Sequence, residues 1–153
     1  MFYDCKKLKS LNLIFDNLYK ITSMSHMFQR CEMLQELNMQ ANDFNTQNLN
    51  DMSYLFKDCF SLTSIDLSNF KTRNVYSTSY MFSNCQNITK IDISNFDVSS
   101  LSDMSYMFYN CSSLTSRDLG NLENIKNNFN YMFNSCSKLE FLNLTNFYTI
   151  NGK

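Results

Sequence analysis

The chain has 153 residues, enough for one domain, and 44% of them are apolar, too many for a disordered segment. With 13 basic against 14 acidic residues the net charge is −1, which excludes a strong electrostatic footprint for nucleic acid or an anionic membrane. One His, 2 Gly and no Trp or Pro leave little from which to build catalytic machinery, and no run of 18 apolar residues offers a membrane-spanning helix.

The chain holds 22 Asn and 20 Ser, residues that bond their own backbone, so turns are expected throughout. No charged stretch followed by an apolar one opens it, so no secretory signal is expected in these residues. The six cysteines, Cys5, Cys31, Cys59, Cys85, Cys111 and Cys136, are spaced at 26, 28, 26, 26 and 25 residues. Three residues before each stands Phe2, Phe28, Phe56, Phe82, Phe108 or Phe133, preceded by Met or, at Leu55, by Leu. Leu8, Leu34, Leu62, Ile88, Leu114 and Leu139 follow each Cys at three residues. Leu11, Leu37, Ile65, Ile91, Arg117 and Leu142 come three further on, then Leu13, Met39, Leu67, Ile93, Leu119 and Leu144. The unit M-F-x-x-C-x-x-L-x-x-L-x-L thus occurs six times with one violation, Arg117, and a tandem repeat is established.

Within a unit the spacing predicts two elements. Leu101, Met104, Met107, Phe108 and Cys111 fall on one face of a short helix, and the same stripe recurs at Ile21–Cys31 and Leu49–Cys59. Ser102 or Asp103, and Asn50 or Asp51, are candidate helix caps, and Asn84 or Asn110 suits a left-handed stop. After each Cys the alternation predicts a short strand such as Ser64 to Leu67. Ser68-Asn69-Phe70, Ser94-Asn95-Phe96 and Thr145-Asn146-Phe147 then read as turns carrying an apolar anchor.

One strand and a two-turn helix bury little alone, but stacked copies fuse their apolar ladders into one core. The expected fold is an α/β repeat solenoid spanning residues 1–153 as a single domain, with six units of 25–28 residues. Short parallel strands are expected on one face and short helices on the other, over roughly 25–30 Å at the usual strand spacing. Met1-Phe2 aligns with the middle of a unit and neither end carries a polar cap, so a slice of a longer array that associates end to end is expected.

The segment S-Y-M-F-Y-N-C-S-S-L-T-S-R-D-L, Ser105 to Leu119, resembles the BspA-type leucine-rich repeats of bacterial and protist surface proteins. Ser-Asn-Phe-Asp-Val at 94–98 and Asp-Met-Ser-Tyr-Met-Phe at 103–108 resemble the same consensus, and the likeness runs over essentially the whole chain. It implies a surface or secreted location and a role in adhesion or in binding a host extracellular protein. The chain departs from the pattern at Arg117 and in the 28-residue second unit, where Asn42-Asp43 displaces Phe44 by two positions.

Because every Cys lies on the apolar stripe with Met and Phe, buried free thiols are favoured over disulfides or a metal site. No cofactor is expected. The residue between the last two strand ladders points outward and reads Asn12, Asn38, Asp66, Asp92, Asp118 and Asn143. It reads first as a solvated strip and second as a contact surface, where a cation or a basic partner would relieve repulsion among neighbouring carboxylates. With Lys90 and Phe141 these residues form the candidate binding face; Ser10, Glu36, Ser64 and Ser116 point the same way, as does Ile14. Tyr54, Tyr80, Tyr106 and Tyr131 precede the Met-Phe (or Leu-Phe) pair, with His26 in the equivalent place, and predict a ladder of stacked rings. The leading functional expectation is a non-catalytic module binding a protein or glycan through the strand face. A structural spacer in a longer array, or an intracellular interaction scaffold suited to reduced thiols, are the alternatives.

Arg117 stands where five other units carry Leu or Ile. Arg117→Ile is therefore expected to stabilise the protein by about 1–3 kcal/mol through restored apolar burial, read as a higher urea midpoint. A lower midpoint would mean that the guanidinium makes a specific interaction, with Asp92 and Asp118 the first partners to test.

Overall fold

The fold is described over residues 1–41, 44–93, 95–115 and 128–140 of a computed structural model. Each coil of the chain lies against the next, as alternating apolar and polar positions require of a unit too small to enclose a core. β1 (Ser10–Phe15) pairs in parallel with β2 (Glu36–Ala41), with Leu11 beside Leu37, Asn12 beside Asn38 and Leu13 beside Met39. β3 (Ser64–Asp66) pairs in parallel with β4 (Lys90–Asp92), Ile65 beside Ile91 and Asp66 beside Asp92. The expected strand and its register are thus present, with β3 ending one residue before Leu67.

The strands form two sheets, not one. Among the described residues no backbone hydrogen bond joins β2 to β3, and nearly all of their Cα pairs are more than 8 Å apart. Two strand types meet at this break. β3 and β4 stop after three residues because the Ser-Asn-Phe turn follows, its Phe N–H bonded to the third residue back: Phe70 to Leu67 at 3.0 Å and Phe96 to Ile93 at 2.9 Å. That turn drives Phe70 and Phe96 into the core. β1 and β2 lack it and run on for six residues. Their inward Leu11, Leu13, Leu37 and Met39 stay half-buried, whereas Ile65, Leu67, Ile91 and Ile93 are 5% exposed or less.

Among the described residues the apolar stripe from Met24 to Cys31 and its counterparts form no helix, contrary to the expectation from spacing; the one helical element is a single 3-10 turn, Leu18–Lys20. From Met24 to Cys31 the N–H groups alternate in direction. Those of Met24, His26, Phe28 and Arg30 donate to Asp51, Ser53, Leu55 and Lys57 of the next unit, while Met27, Gln29 and Cys31 close four-residue turns on Met24, His26 and Phe28. Stacked turns also return the chain to one face every third residue, which is why the apolar stripe imitates a helix. The proposed caps act differently too. Asp51 and Asp103 accept the N–H of Ser53 and Ser105 through their carboxylates, and Ser102 donates to the Tyr76 carbonyl across the coil.

Five units bend at two left-handed residues, one before the Met-Phe (or Leu-Phe) pair and one before the Cys, and the first unit bends at Asp4 before its Cys. None is glycine: the first position holds His26, Tyr54, Tyr80, Tyr106 and Tyr131, the second Asp4, Arg30, Asp58, Asn84, Asn110 and Ser135. A Cβ in this region costs about 1–2 kcal/mol, least for Asn and Asp. At the second position the side chains offset the cost by bonding along the stack, Asn84 Nδ2 to Asp58 Oδ1 at 2.6 Å and Asn110 Nδ2 to Asn84 Oδ1 at 3.0 Å. The left-handed setting expected for Asn84 and Asn110 is present, but it links turns and ends no helix.

Between the faces lies one continuous core. Phe2, Phe28, Phe56, Phe82, Phe108 and Phe133 stack with centroids 5.4–5.6 Å apart and rings within 14° of parallel. Arg117, Asp118, Phe141, Asn143, Phe147 and the Asn42-Asp43 pair lie outside the described residues.

Asn84→Ala is expected to lower stability by about 1–2 kcal/mol, since it loses the amide ladder and keeps a Cβ in the left-handed region. Asn84→Gly should cost less, because glycine accepts that region freely. Equal urea midpoints for the two variants would show that the backbone setting is not a constraint.

Candidate functional site

Burial separates the two exposed faces from the cysteines between them. Cys31, Cys59, Cys85 and Cys111 are fully buried, Cys136 is half-buried and Cys5 is exposed. Each thiol after the first donates to the carbonyl of the preceding unit's Phe: Cys31 to Phe2 at 3.1 Å, Cys59 to Phe28 at 3.2 Å, Cys85 to Phe56 and Cys111 to Phe82 at 3.1 Å, and Cys136 to Phe108 at 3.0 Å. The cysteines are free, as their place on the apolar stripe implies, but Cys5 departs from the expected burial. Desolvation pushes the Cys31 thiol up to about 11, holds Cys59, Cys85 and Cys111 well above the ordinary range and raises Cys136; neighbouring thiols add to the effect at Cys59, Cys85 and Cys111. These are inert structural donors, the opposite of an activated nucleophile.

On the turn face, stacked rings run from His26 through Tyr54, Tyr80 and Tyr106 to Tyr131 with centroids 4.5–5.0 Å apart, as the spacing predicts. His26 takes a tyrosine's place, its Nδ1 against Gln29 Oε1. Lys57 Nζ lies 5.3 Å from the Tyr80 centroid and 5.9 Å from that of Tyr54. Partial burial and the neighbouring phenols push the Tyr80 and Tyr106 hydroxyls up. The interior rings Tyr54, Tyr80 and Tyr106 have both faces covered by stacked neighbours, while Tyr131 at the end of the ladder is exposed.

The strand face carries the candidate binding residues. Asn12, Asn38, Asp66 and Lys90 are exposed and Asp92 is half-buried; Asp118, Phe141 and Asn143 lie outside the described residues. Pairing sets Asn12 beside Asn38 and Asp66 beside Asp92, while Lys90 stands beside Ser64. The sheet break divides this strip. Asn12, Asn38 and Asp66 border one open groove of about 580 Å³, completed by Ser10, Gln35, Glu36, Thr63 and Ser64 with Leu11, Leu37 and Ile65 at its base, while Lys90 and Asp92 stand outside it. Asp66 is held in place by the Ser68 N–H, which donates to its Oδ1 at 2.8 Å. The groove, with Gln35 and Glu36 in its wall, is what a reading by repeat position misses. Two signals bear on it: the 28-residue interval and the lack of Ser-Asn-Phe in the first two units.

This architecture defines a class, a repeat solenoid stitched by parallel ladders. The chain belongs to the family DUF285, described as a Mycoplasma protein of unknown function, whose model matches residues 1–122. Among solved structures it is similar to a leucine-rich repeat protein from Eubacterium ventriosum, at 20% identity and a TM-score of 0.47 over 78% of this chain. The chain spans 29% of that protein's length. A comparison with curated proteins finds no match. Among the described residues no helix is long and apolar enough to cross a membrane.

Because the folded thiols titrate above their unfolded values, their contribution to stability is complete below the ordinary thiol pKa and is lost as pH rises through the folded values. The urea midpoint should therefore be flat from about pH 7 to 8 and fall steadily above about pH 9. Cys85→Ser, which keeps a donor that does not titrate there, should flatten part of that fall. An unchanged midpoint at pH 10 would contradict the burial of the thiols as donors.

Proposed function

We propose that the protein is a non-catalytic binding module, displayed at the cell surface or secreted, that contacts a protein or glycan through its strand face. The observation that carries this reading is the contrast between a closely repeated interior and a varied exterior. Inward positions repeat Phe, Cys and Leu, Ile or Met from unit to unit, Arg117 excepted. The outward strand rows change from Ser10 to Glu36, Ser64 and Lys90, and from Asn12 and Asn38 to Asp66 and Asp92. A solenoid specifies its ligand through such outward residues, since the framework ones are committed to the core. The BspA-type resemblance supports adhesion to a host extracellular protein as the setting.

The turn face favours a second reading, a structural spacer, because its Tyr ladder repeats one residue type with little variation. The two separate on one experiment: immobilised protein is exposed to an extracellular-matrix protein panel and a glycan array. The binding reading expects a ligand retained by the native chain and lost in a Glu36→Lys/Asp66→Lys/Lys90→Glu variant of unchanged Tm. Retention unaffected by these strand-face changes, or no ligand in either panel, favours the spacer.

A further inference from the structure

We propose that the break between β2 and β3 is a strand-insertion site for an extended peptide with apolar residues on one side and Lys or Arg on the other. The inference rests on the strand face being the binding surface and names the class of partner.

Three independent observations meet at the groove. The first is spacing. Paired strands lie about 4.8 Å apart, so one added strand needs about 9.6 Å between its two neighbours. Nearly all β2–β3 Cα pairs exceed 8 Å, while the Phe28 and Phe56 rings behind them remain stacked at 5.4 Å. The coils therefore stay closed on the turn side and at both flanks of the strands, where the Ser61 N–H donates to the Glu32 carbonyl at 3.2 Å and the Phe44 and Phe70 rings meet at 5.2 Å, and they open between those points. The second is backbone chemistry. The edges of β2 and β3 that face the break make no backbone hydrogen bond to each other, so two rows of N–H and C=O groups face one gap. An inserted backbone would bond on both sides, where addition at an ordinary sheet edge bonds on one. The third is the lining. Leu11, Leu37 and Ile65 form the base, with Leu37 half-buried, and the walls carry Glu36 and Asp66 with no Lys or Arg. Alternate side chains of an inserted strand point inward and outward. Inward ones would cover Leu37 and Ile65; outward ones would meet the two carboxylates. Three residues match β3, a reach of roughly 10 Å over which both sides can bond, and a six-residue peptide would continue along β2 alone.

The probe is the blocked hexapeptide acetyl-Val-Lys-Ile-Arg-Val-Lys-amide, titrated against the whole chain by calorimetry with amide exchange measured in parallel. Binding should slow exchange at Glu36–Ala41 and Ser64–Asp66 and leave the turn ladder from Met24 to Cys31 unchanged. Glu36→Lys/Asp66→Lys should weaken binding about tenfold or more by charge reversal. The same peptide N-methylated at alternate residues should lose binding, because methylation removes donors and leaves side chains intact. Equal binding of the methylated peptide, or binding without protection of β2 and β3, would overturn strand insertion. So would failure of the hexapeptide while a matrix protein or glycan still binds in an Asp66-dependent manner, an outcome that leaves the strand-face reading standing. Failure of every ligand removes both.

Discussion

Everything in this structure depends on contact between successive coils. A unit of this size cannot remove its own Phe, Met and Leu side chains from water, and its backbone donors have too few partners within the unit. Both needs are met by the neighbour. Phe rings stack from coil to coil at about one repeat rise, and the N–H groups of one turn segment bond the carbonyls of the next. The thiols complete the scheme: Cys59, Cys85 and Cys111 each cap a Phe carbonyl of the preceding coil inside the apolar core. Each of these carbonyls also accepts the N–H of its own unit's Cys, so the thiol fills the second lone pair, and a small, apolar residue with a weak donor suits the position.

The same logic explains the absence of glycine from the bends. Two left-handed residues per unit would ordinarily call for Gly. Here the side chains at those positions carry the stack outward, as phenol rings at one bend and as an Asp-Asn-Asn ladder at the other. Local strain is offset where the strained residue makes a contact with a neighbouring coil that glycine lacks, as the tyrosine rings and the Asp58, Asn84 and Asn110 side chains do.

These particulars show what can be read from sequence and what cannot. Strand register was legible, because alternation at Leu11/Leu13 and Ile65/Leu67 admits one inward face. The ring ladders were legible, because parallel stacking brings equivalent residues together. The turn segment reads as a helix because helices and stacked four-residue turns both return side chains to one face about every third residue, and the deciding signals are the alternating N–H directions and the bends at Tyr54 and Tyr80. The sheet break was not legible. It depends on how six-residue strands abut three-residue strands, a property of two neighbouring units and not of either alone. Alternation therefore reads Asn12, Asn38 and Asp66 as outward-facing, and they are exposed, but their division from Lys90 and Asp92, and the place of Glu36 in the groove, come only from the structure.

If coil-to-coil contact is the source of stability, the interior coils should open together and the outer ones more easily. Native-state labelling of the cysteines with a thiol reagent across a urea series tests this most directly, because each coil carries one reporter at the same structural position. The account predicts immediate reaction at Cys5 and easy opening at half-buried Cys136. Cys59, Cys85 and Cys111 should share one opening free energy equal to that of global unfolding. Independent opening energies at those three sites, or labelling of Cys85 as fast as Cys5, would contradict it.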